Sequence, residues 1–210
     1  AGNFGPPTNF IVSSGVFGPF DIAVGEFNAD NKLDLAVATF LSGVVVLIGN
    51  GAGGFGPPSG IAVSFQPFSI AVGDFNHDAN LDIVAGGMGG TILLGNGQGS
   101  FTAGTSFDVG SDRDLAVADL NNDGDADLIV LRDTFVSILL GDGMGNLGAP
   151  ASFPVGPQAL SLALGDLNND EKLDIATGNG GPVNVSILLG DGVGIFGPTI
   201  DLGEGAAFSI

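Results

Sequence analysis

Four stretches of this chain carry oxygen-bearing side chains at one repeated spacing. At positions 1, 3, 5 and 9 of a nine-residue segment stand Glu26, Asn28, Asp30 and Asp34; then Asp74, Asn76, Asp78 and Asp82; then Asp119, Asn121, Asp123 and Asp127; then Asp166, Asn168, Asp170 and Asp174. Alternate residues of a tightly curled loop point inward together, so these carboxylates and amides are expected to converge. Three acids that close repel one another unless a cation stands between them. A hard ion taking roughly six to eight oxygens at about 2.3–2.6 Å suits the set, and calcium tolerates irregular geometry better than magnesium does. Position 7, held by Lys32, Asn80, Asp125 and Lys172, varies in type, as expected where only the backbone carbonyl serves as a ligand.

Asp- and Asn-rich turns also cap strands without any metal, and one such loop would be read that way. Four loops of identical spacing, taking 12 of the 23 acids, favour calcium. About four Ca²⁺ ions would add eight charges and bring the formal −19 to −11. Glu26 has one methylene more than Asp, which makes the first loop the weakest expected site. An EF-hand needs Gly at position 6, Glu at position 12 and flanking helices. Position 12 here is Val37, Ala85, Val130 or Thr177 and the flanks are strand-like, so that reading fails.

The elements that must hold these loops repeat with them. Phe20-Asp-Ile-Ala-Val-Gly-Glu-Phe27 recurs as Phe68-Ser-Ile-Ala-Val-Gly-Asp-Phe75, Arg113-Asp-Leu-Ala-Val-Ala-Asp-Leu120 and Leu160-Ser-Leu-Ala-Leu-Gly-Asp-Leu167, at offsets of 48, 45 and 47 residues. A second marker keeps the same phase: Val46-Leu-Ile-Gly-Asn-Gly51, Ile92-Leu-Leu-Gly-Asn-Gly97, Ile138-Leu-Leu-Gly-Asp-Gly143 and Ile187-Leu-Leu-Gly-Asp-Gly192. Asn-Gly or Asp-Gly after an apolar run predicts a two-residue hairpin turn with positive φ at both positions. Phe55-Gly-Pro-Pro58, Leu147-Gly-Ala-Pro150 and Phe196-Gly-Pro198 open the next units, and Phe4-Gly-Pro-Pro7 starts the chain in this phase. Helical periodicity is absent. The expectation is an all-β, β-propeller-like array of four-stranded blades: four full repeats of about 47 residues at 4–54, 55–100, 101–146 and 147–195, plus a partial one at 196–210, in a single repeat domain over 1–210. Burial on both faces accounts for strands with little polar alternation.

Composition narrows the partners. Hydrophobic residues make up 44% of the chain, in short runs bounded by Gly, Asn, Asp or Pro, so the 38 glycines and 11 prolines punctuate a folded chain. The charge of −19 argues against nucleic acid and anionic lipid. No apolar run approaches the roughly 20 residues that span a bilayer. No signal peptide is legible at residue 1, so one is either already removed or outside this chain. The absence of cysteine rules out disulfides and thiolate metal sites without identifying a compartment. The two ends carry the same part of the repeat, which reads either as an excerpt of a longer propeller or array, or as an overhang that pairs with another subunit.

The Phe-Gly and Gly-Ala-Pro-like turns, Asp-x-Asn-x-Asp-x-x-x-Asp and Leu-Asp-Ile/Leu together resemble the FG-GAP repeats of integrin α-subunit propellers and the related VCBS-type repeats of secreted bacterial proteins. The resemblance covers essentially the whole chain. It implies a β-propeller, usually of seven blades, with calcium held in a loop between strands and other loops binding ligands. The four loops match the family's calcium positions apart from Glu26, and four full repeats fall short of seven.

Enzymatic readings find little support. The only histidine, His77, sits at position 4 of an acidic loop, where it is expected to face solvent. Gly49-Asn-Gly-Ala-Gly-Gly54 fits G-x-G-x-x-G but precedes Phe55-Gly-Pro-Pro58 and not a helix. Paired carboxylates could serve a glycosidase, yet their fourfold repetition argues for structural ligation. With 16 Phe but no Trp or Tyr, a glycan partner is the lesser expectation. A mean hydropathy of +0.45 suggests exposed apolar area and a protein partner or self-association. The reading is a calcium-stabilised extracellular or cell-surface scaffold or adhesion module, not an enzyme; the alternatives are a lectin-like propeller and the accessory domain of a larger secreted enzyme.

Overall fold

A computed structural model describes residues 8–12, 18–108 and 110–203. The opening Phe4-Gly-Pro-Pro7 and the terminal Phe208-Ser-Ile210 lie outside these residues. Among the described residues sixteen strands form four antiparallel sheets, each a meander in chain order. Blade 1 contains β1 (Pro19–Gly25), β2 (Asp34–Thr39), β3 (Gly43–Leu47) and β4 (Ser59–Ile61). Blade 2 contains β5 (Pro67–Gly73), β6 (Asp82–Gly87), β7 (Gly90–Gly95) and β8 (Phe101–Phe107). Blade 3 contains β9 (Asp114–Ala118), β10 (Asp127–Leu131), β11 (Phe135–Leu139) and β12 (Ala151–Pro154), and blade 4 contains β13 (Ala159–Gly165), β14 (Asp174–Asn179), β15 (Val183–Leu188) and β16 (Ile200–Gly203). The all-β propeller expectation holds. Among the described residues no helix is long and apolar enough to cross a membrane.

The first strands of successive blades lie against one another, β1 on β5, β5 on β9 and β9 on β13. Each Phe-Gly-Pro segment leads into the fourth strand of the blade before it, so blades are phased later than the sequence repeats. The middle strands β2, β3, β6 and β10 are buried on both faces, which is why they are rich in Val, Ile and Leu without alternation.

The core sits between blades. Phe27, Ala36 and Val46 of blade 1 meet Ile70, Ile83 and Leu93 of blade 2. The same repeat positions recur as Phe75, Val84 and Ile92 against Leu115, Leu128 and Leu139, and as Leu120, Ile129 and Ile138 against Leu162, Ile175 and Leu188. Polar clips cross the junctions near the starts of the first strands. Asp21 Oδ2 accepts the N–H of Ile70 at 2.9 Å, and Asp114 Oδ2 accepts that of Leu162 at 2.9 Å. Ser69 and Ser161 occupy the position of these acids in blades 2 and 4. At the junction of blades 2 and 3 the buried Asp112 instead lies over Gly86, where any Cβ would collide with its Oδ2, and neither Asp112 Oδ1 nor Ser69 Oγ has a hydrogen-bond partner. Burial pushes the Asp112 carboxyl up to about 7, and the charges of Asp114 and Asp21 push the same way.

The hairpin turns depart from expectation. Of each Asn-Gly or Asp-Gly pair only the glycine has positive φ (Gly51, Gly97, Gly143, Gly192), so the connection is not a two-residue turn. It is a five-residue loop organised by its first side chain. Asn50 Oδ1 accepts the N–H groups of Ala52 and Gly54 at 2.8 and 3.0 Å, and the Asn50 N–H donates to the Gly54 carbonyl at 2.9 Å. Asn96, Asp142 and Asp191 repeat both features. The side-chain acceptor stabilises a wider loop that a type I′ turn cannot form.

Candidate metal centre

Each acidic segment joins the first strand of a blade to its second, framed by the cross-strand pairs Gly25/Asp34, Gly73/Asp82, Ala118/Asp127 and Gly165/Asp174. Two residues in each loop take positive φ: Ala29 and Asn31, His77 and Ala79, Asn122 and Gly124, Asn169 and Glu171. This alternation curls the chain and brings positions 1, 3 and 5 together. Asp78 N–H donates to Asp74 Oδ1 at 3.3 Å and to Asn76 Oδ1 at 3.1 Å, while Asn80 N–H donates to Asp78 Oδ1 at 2.9 Å. Loop 3 repeats the pattern with Asp119, Asn121 and Asp123, and loop 4 with Asp166, Asn168 and Asp170. In loop 1 the longer Glu26 still reaches, accepting from Asn28 and Asp30 at 2.9 and 3.2 Å, and Asp30 accepts from Lys32.

Position 9 has a second task that spacing alone does not reveal. Asp34, Asp82, Asp127 and Asp174 are fully buried, and both carboxylate oxygens of each accept backbone N–H groups. One comes from position 2 of the same loop (Phe27, Phe75, Leu120, Leu167) at 2.8–2.9 Å. The other comes from the glycine after the third strand (Gly49, Gly95, Gly141, Gly190) at 2.7–2.8 Å. Those glycines are required for another reason: a Cβ at Gly95 would stand 2.3 Å from the Leu81 carbonyl oxygen, and the other three are as tight. Position 9 therefore staples loop, second strand and hairpin together.

The electrostatics register the crowding. Burial raises the Asp82 and Asp127 carboxyls above the ordinary range, and the charges at positions 5 and 1 of the same loops push them further. Asp166 is lowered, chiefly by the Glu171 N–H. Asp30 is lowered by the Lys32 ammonium 3.0 Å away. The side chains at position 7 make contacts of their own: Lys32 and Lys172 reach the acid at position 5 of their own loops, and Asp125 pairs with His77 Nε2 at 2.8 Å across the junction of blades 2 and 3. His77 is exposed as expected but has this partner.

Among the described residues no three Asp, Glu or His side chains form a metal-holding group, because the carboxylates are turned onto backbone N–H groups. The donor set nonetheless fits a hard cation: carboxylate and amide oxygens at positions 1, 3 and 5 are grouped on one curl, beside a position-9 carboxyl that in loops 2 and 3 is raised by burial and by the charges at positions 5 and 1. Each carboxylate oxygen that accepts one N–H keeps a second lone pair for a metal. The sequence did not single out Asp21, Asp112 and Asp114; for Asp21 and Asp114 the Asp, Ser, Asp, Ser order at their shared strand position was the available signal.

A family profile described as an FG-GAP-like repeat matches residues 26–85, 83–130 and 119–177. No curated protein matches the chain. Among solved structures, the chain is 23% identical to an Agrocybe aegerita lectin solved for its specific recognition of non-reducing terminal N-acetylglucosamine, with a TM-score of 0.62 over 89% of this chain and 52% of that one. It is 17% identical to BBS1N, solved in complex with ARL6DN, with a TM-score of 0.57 over 93% of this chain and 59% of that one. The chain thus spans little more than half the length of these structures, and the likeness is one of fold.

Proposed function

Because the chain belongs to the FG-GAP-like repeat family, we propose that it is a calcium-stabilised extracellular scaffold or adhesion module without a catalytic centre. The observation that carries this reading is the fourfold curl of positions 1, 3 and 5 beside a buried position 9. Asp74, Asn76 and Asp78, with Asp119, Asn121 and Asp123 and Asp166, Asn168 and Asp170, would hold Ca²⁺ together with the position-9 carboxylates Asp82, Asp127 and Asp174. Glu26, Asn28, Asp30 and Asp34 would form the weakest site, since the Lys32 ammonium already neutralises Asp30. The ion would supply charge neutralisation and a cross-link, not reaction chemistry. Calcium is available to such modestly tight sites outside the cell, which is the basis for the extracellular assignment.

Calorimetry of the chain in calcium and in excess chelator tests this. A ligand bound only by the folded state raises the melting temperature, so chelation is expected to lower it by several degrees. An unchanged melting temperature in chelator returns the loops to ordinary turns.

A second reading, a lectin-like propeller, draws on one feature. At the blade end opposite the acidic loops, Ser111, Arg113, Arg132, Asp133, Thr134 and Phe135 line a cavity of about 310 Å³. It gathers both arginines of a strongly acidic chain beside a half-exposed aromatic ring. Titration with N-acetylglucosamine distinguishes the readings: saturable binding lost in Arg132→Ala supports the lectin, and no heat of binding leaves the scaffold.

A further inference from the structure

The positions that form the three blade junctions are present at both ends of the array, where several of their apolar side chains are exposed. On the leading side Ile70 and Leu115 are 5% and 7% exposed, whereas Ile22, their equivalent in blade 1, is 52% exposed, as is Val24. On the trailing side Phe27, Phe75 and Leu120 are 2%, 1% and 4% exposed, whereas Leu167, their equivalent in blade 4, is 50% exposed. The backbone agrees. Gly99 and Gly145 N–H donate to the carbonyls of Phe27 and Phe75 in the preceding blade at 2.7 and 2.8 Å. A Cβ on either glycine would touch that blade, while Gly53, their equivalent in blade 1, has nothing near it.

We propose that these faces are the two halves of one further blade junction, made when a second copy of this chain docks head to tail. Leu167 of the second copy would sit against Ile22 and Val24 as Phe27 sits against Ile70 and Phe75 against Leu115, and its carbonyl would accept the Gly53 N–H. Charge agrees with this pairing. Where loop 2 meets loop 3, position 7 is Asp125 facing His77; in the docked junction position 7 is Lys32, facing acidic loop 4. A heterologous contact of this kind closes into a ring when its rotation allows, and two copies would make eight blades, within the roughly four-to-eight range of propellers. The proposal names the partner of the scaffold reading but rests on the blade faces and not on calcium.

One segment competes for the site. Phe10 packs edge-on against Phe55 at 5.2 Å, and Val12 lies on Val37 and Leu47. These residues stand where Ile61 and Val63 of blade 1 pack on blade 2, yet belong to no strand. The equivalent of Phe10 in the docking copy is Leu202 in β16, so docking displaces residues 8–12.

Light scattering of the 210-residue chain at micromolar concentration, in calcium and in chelator, tests the proposal. The expected mass is twice 20.7 kDa or a higher multiple. Ile22→Asp and Leu167→Asp each bury an unpaired carboxylate in the junction and are expected to weaken association about tenfold or more, while the single chain stays folded because both positions are exposed in it. An equimolar mixture of the two variants restores a dimer, since one keeps an intact leading face and the other an intact trailing face. Phe10→Ser tightens association by loosening the competitor. A monomeric wild-type chain, or a mixture that stays monomeric, overturns head-to-tail docking and assigns the faces to further blades of a longer polypeptide. A melting temperature indifferent to chelator with the dimer retained refutes the calcium reading alone.

Discussion

The staple at position 9 and the donors at positions 1 to 5 are separable, and a pair of isosteric substitutions should separate them. Asp82→Asn leaves one acceptor oxygen where two buried N–H groups, those of Phe75 and Gly95, now find two. The new amide must aim its own N–H₂ at one of them. A buried donor left without an acceptor costs about 1–3 kcal/mol, partly offset because burial already disfavours the Asp82 carboxylate. A net loss of about 1–2 kcal/mol is expected in urea denaturation with excess chelator, where no metal contributes. Asp78→Asn, on the exposed curl, should change stability by only about 0.5 kcal/mol in chelator. In calcium the order reverses in kind: a site at about 100 times its dissociation constant adds about 2.7 kcal/mol, and Asp78→Asn forfeits much of it. If Asp82→Asn matches the wild type in chelator, or Asp78→Asn loses as much as Asp82→Asn there, the division of labour is wrong.

Two further outcomes follow from the packing. Asp112 titrates near 7 in the folded chain and near 3.8 when unfolded, so the folded state holds the extra proton between these values. Its contribution is complete below about pH 4 and is lost as pH rises through 7, on the order of 4 kcal/mol in all; Asp112→Asn should flatten that part of the stability profile in urea melts and be the more stable chain at pH 8. Gly95→Ala places a methyl against the Leu81 carbonyl and should cost about 3 kcal/mol or more by denaturation, while Gly165→Ala, with open space at its Cβ, should be nearly neutral.

The fold was legible because its repeat is written in residues that can do little else. Ala-Val-Gly strands, the Leu-Gly-Asn/Asp-Gly marker and the nine-residue acidic spacing together give four blades. The connection after the third strand was misread because Asn50 and its equivalents act through a side-chain oxygen, not through their own backbone angle. The second task of Asp34, Asp82, Asp127 and Asp174 was hidden because one partner of each lies 13–16 residues away, in a glycine that spacing marks only as a turn. The pairing of the position-7 Asp125 with His77 was not legible, because the two loops meet only through tertiary proximity.

The alternation of Asp21, Ser69, Asp114 and Ser161 gives the array a parity. Blades 1 and 2 are tied by a carboxylate gripping a main-chain amide, and so are blades 3 and 4, whereas at the middle seam Ser69 makes no such bond and the junction holds instead the His77–Asp125 pair, the Gly145 N–H on the Phe75 carbonyl and the buried Asp112, whose charge state follows pH. The middle seam is therefore the one whose hold should weaken as pH rises through 7, and blades could be gained or lost by duplication without breaking the alternation of clips only in even numbers.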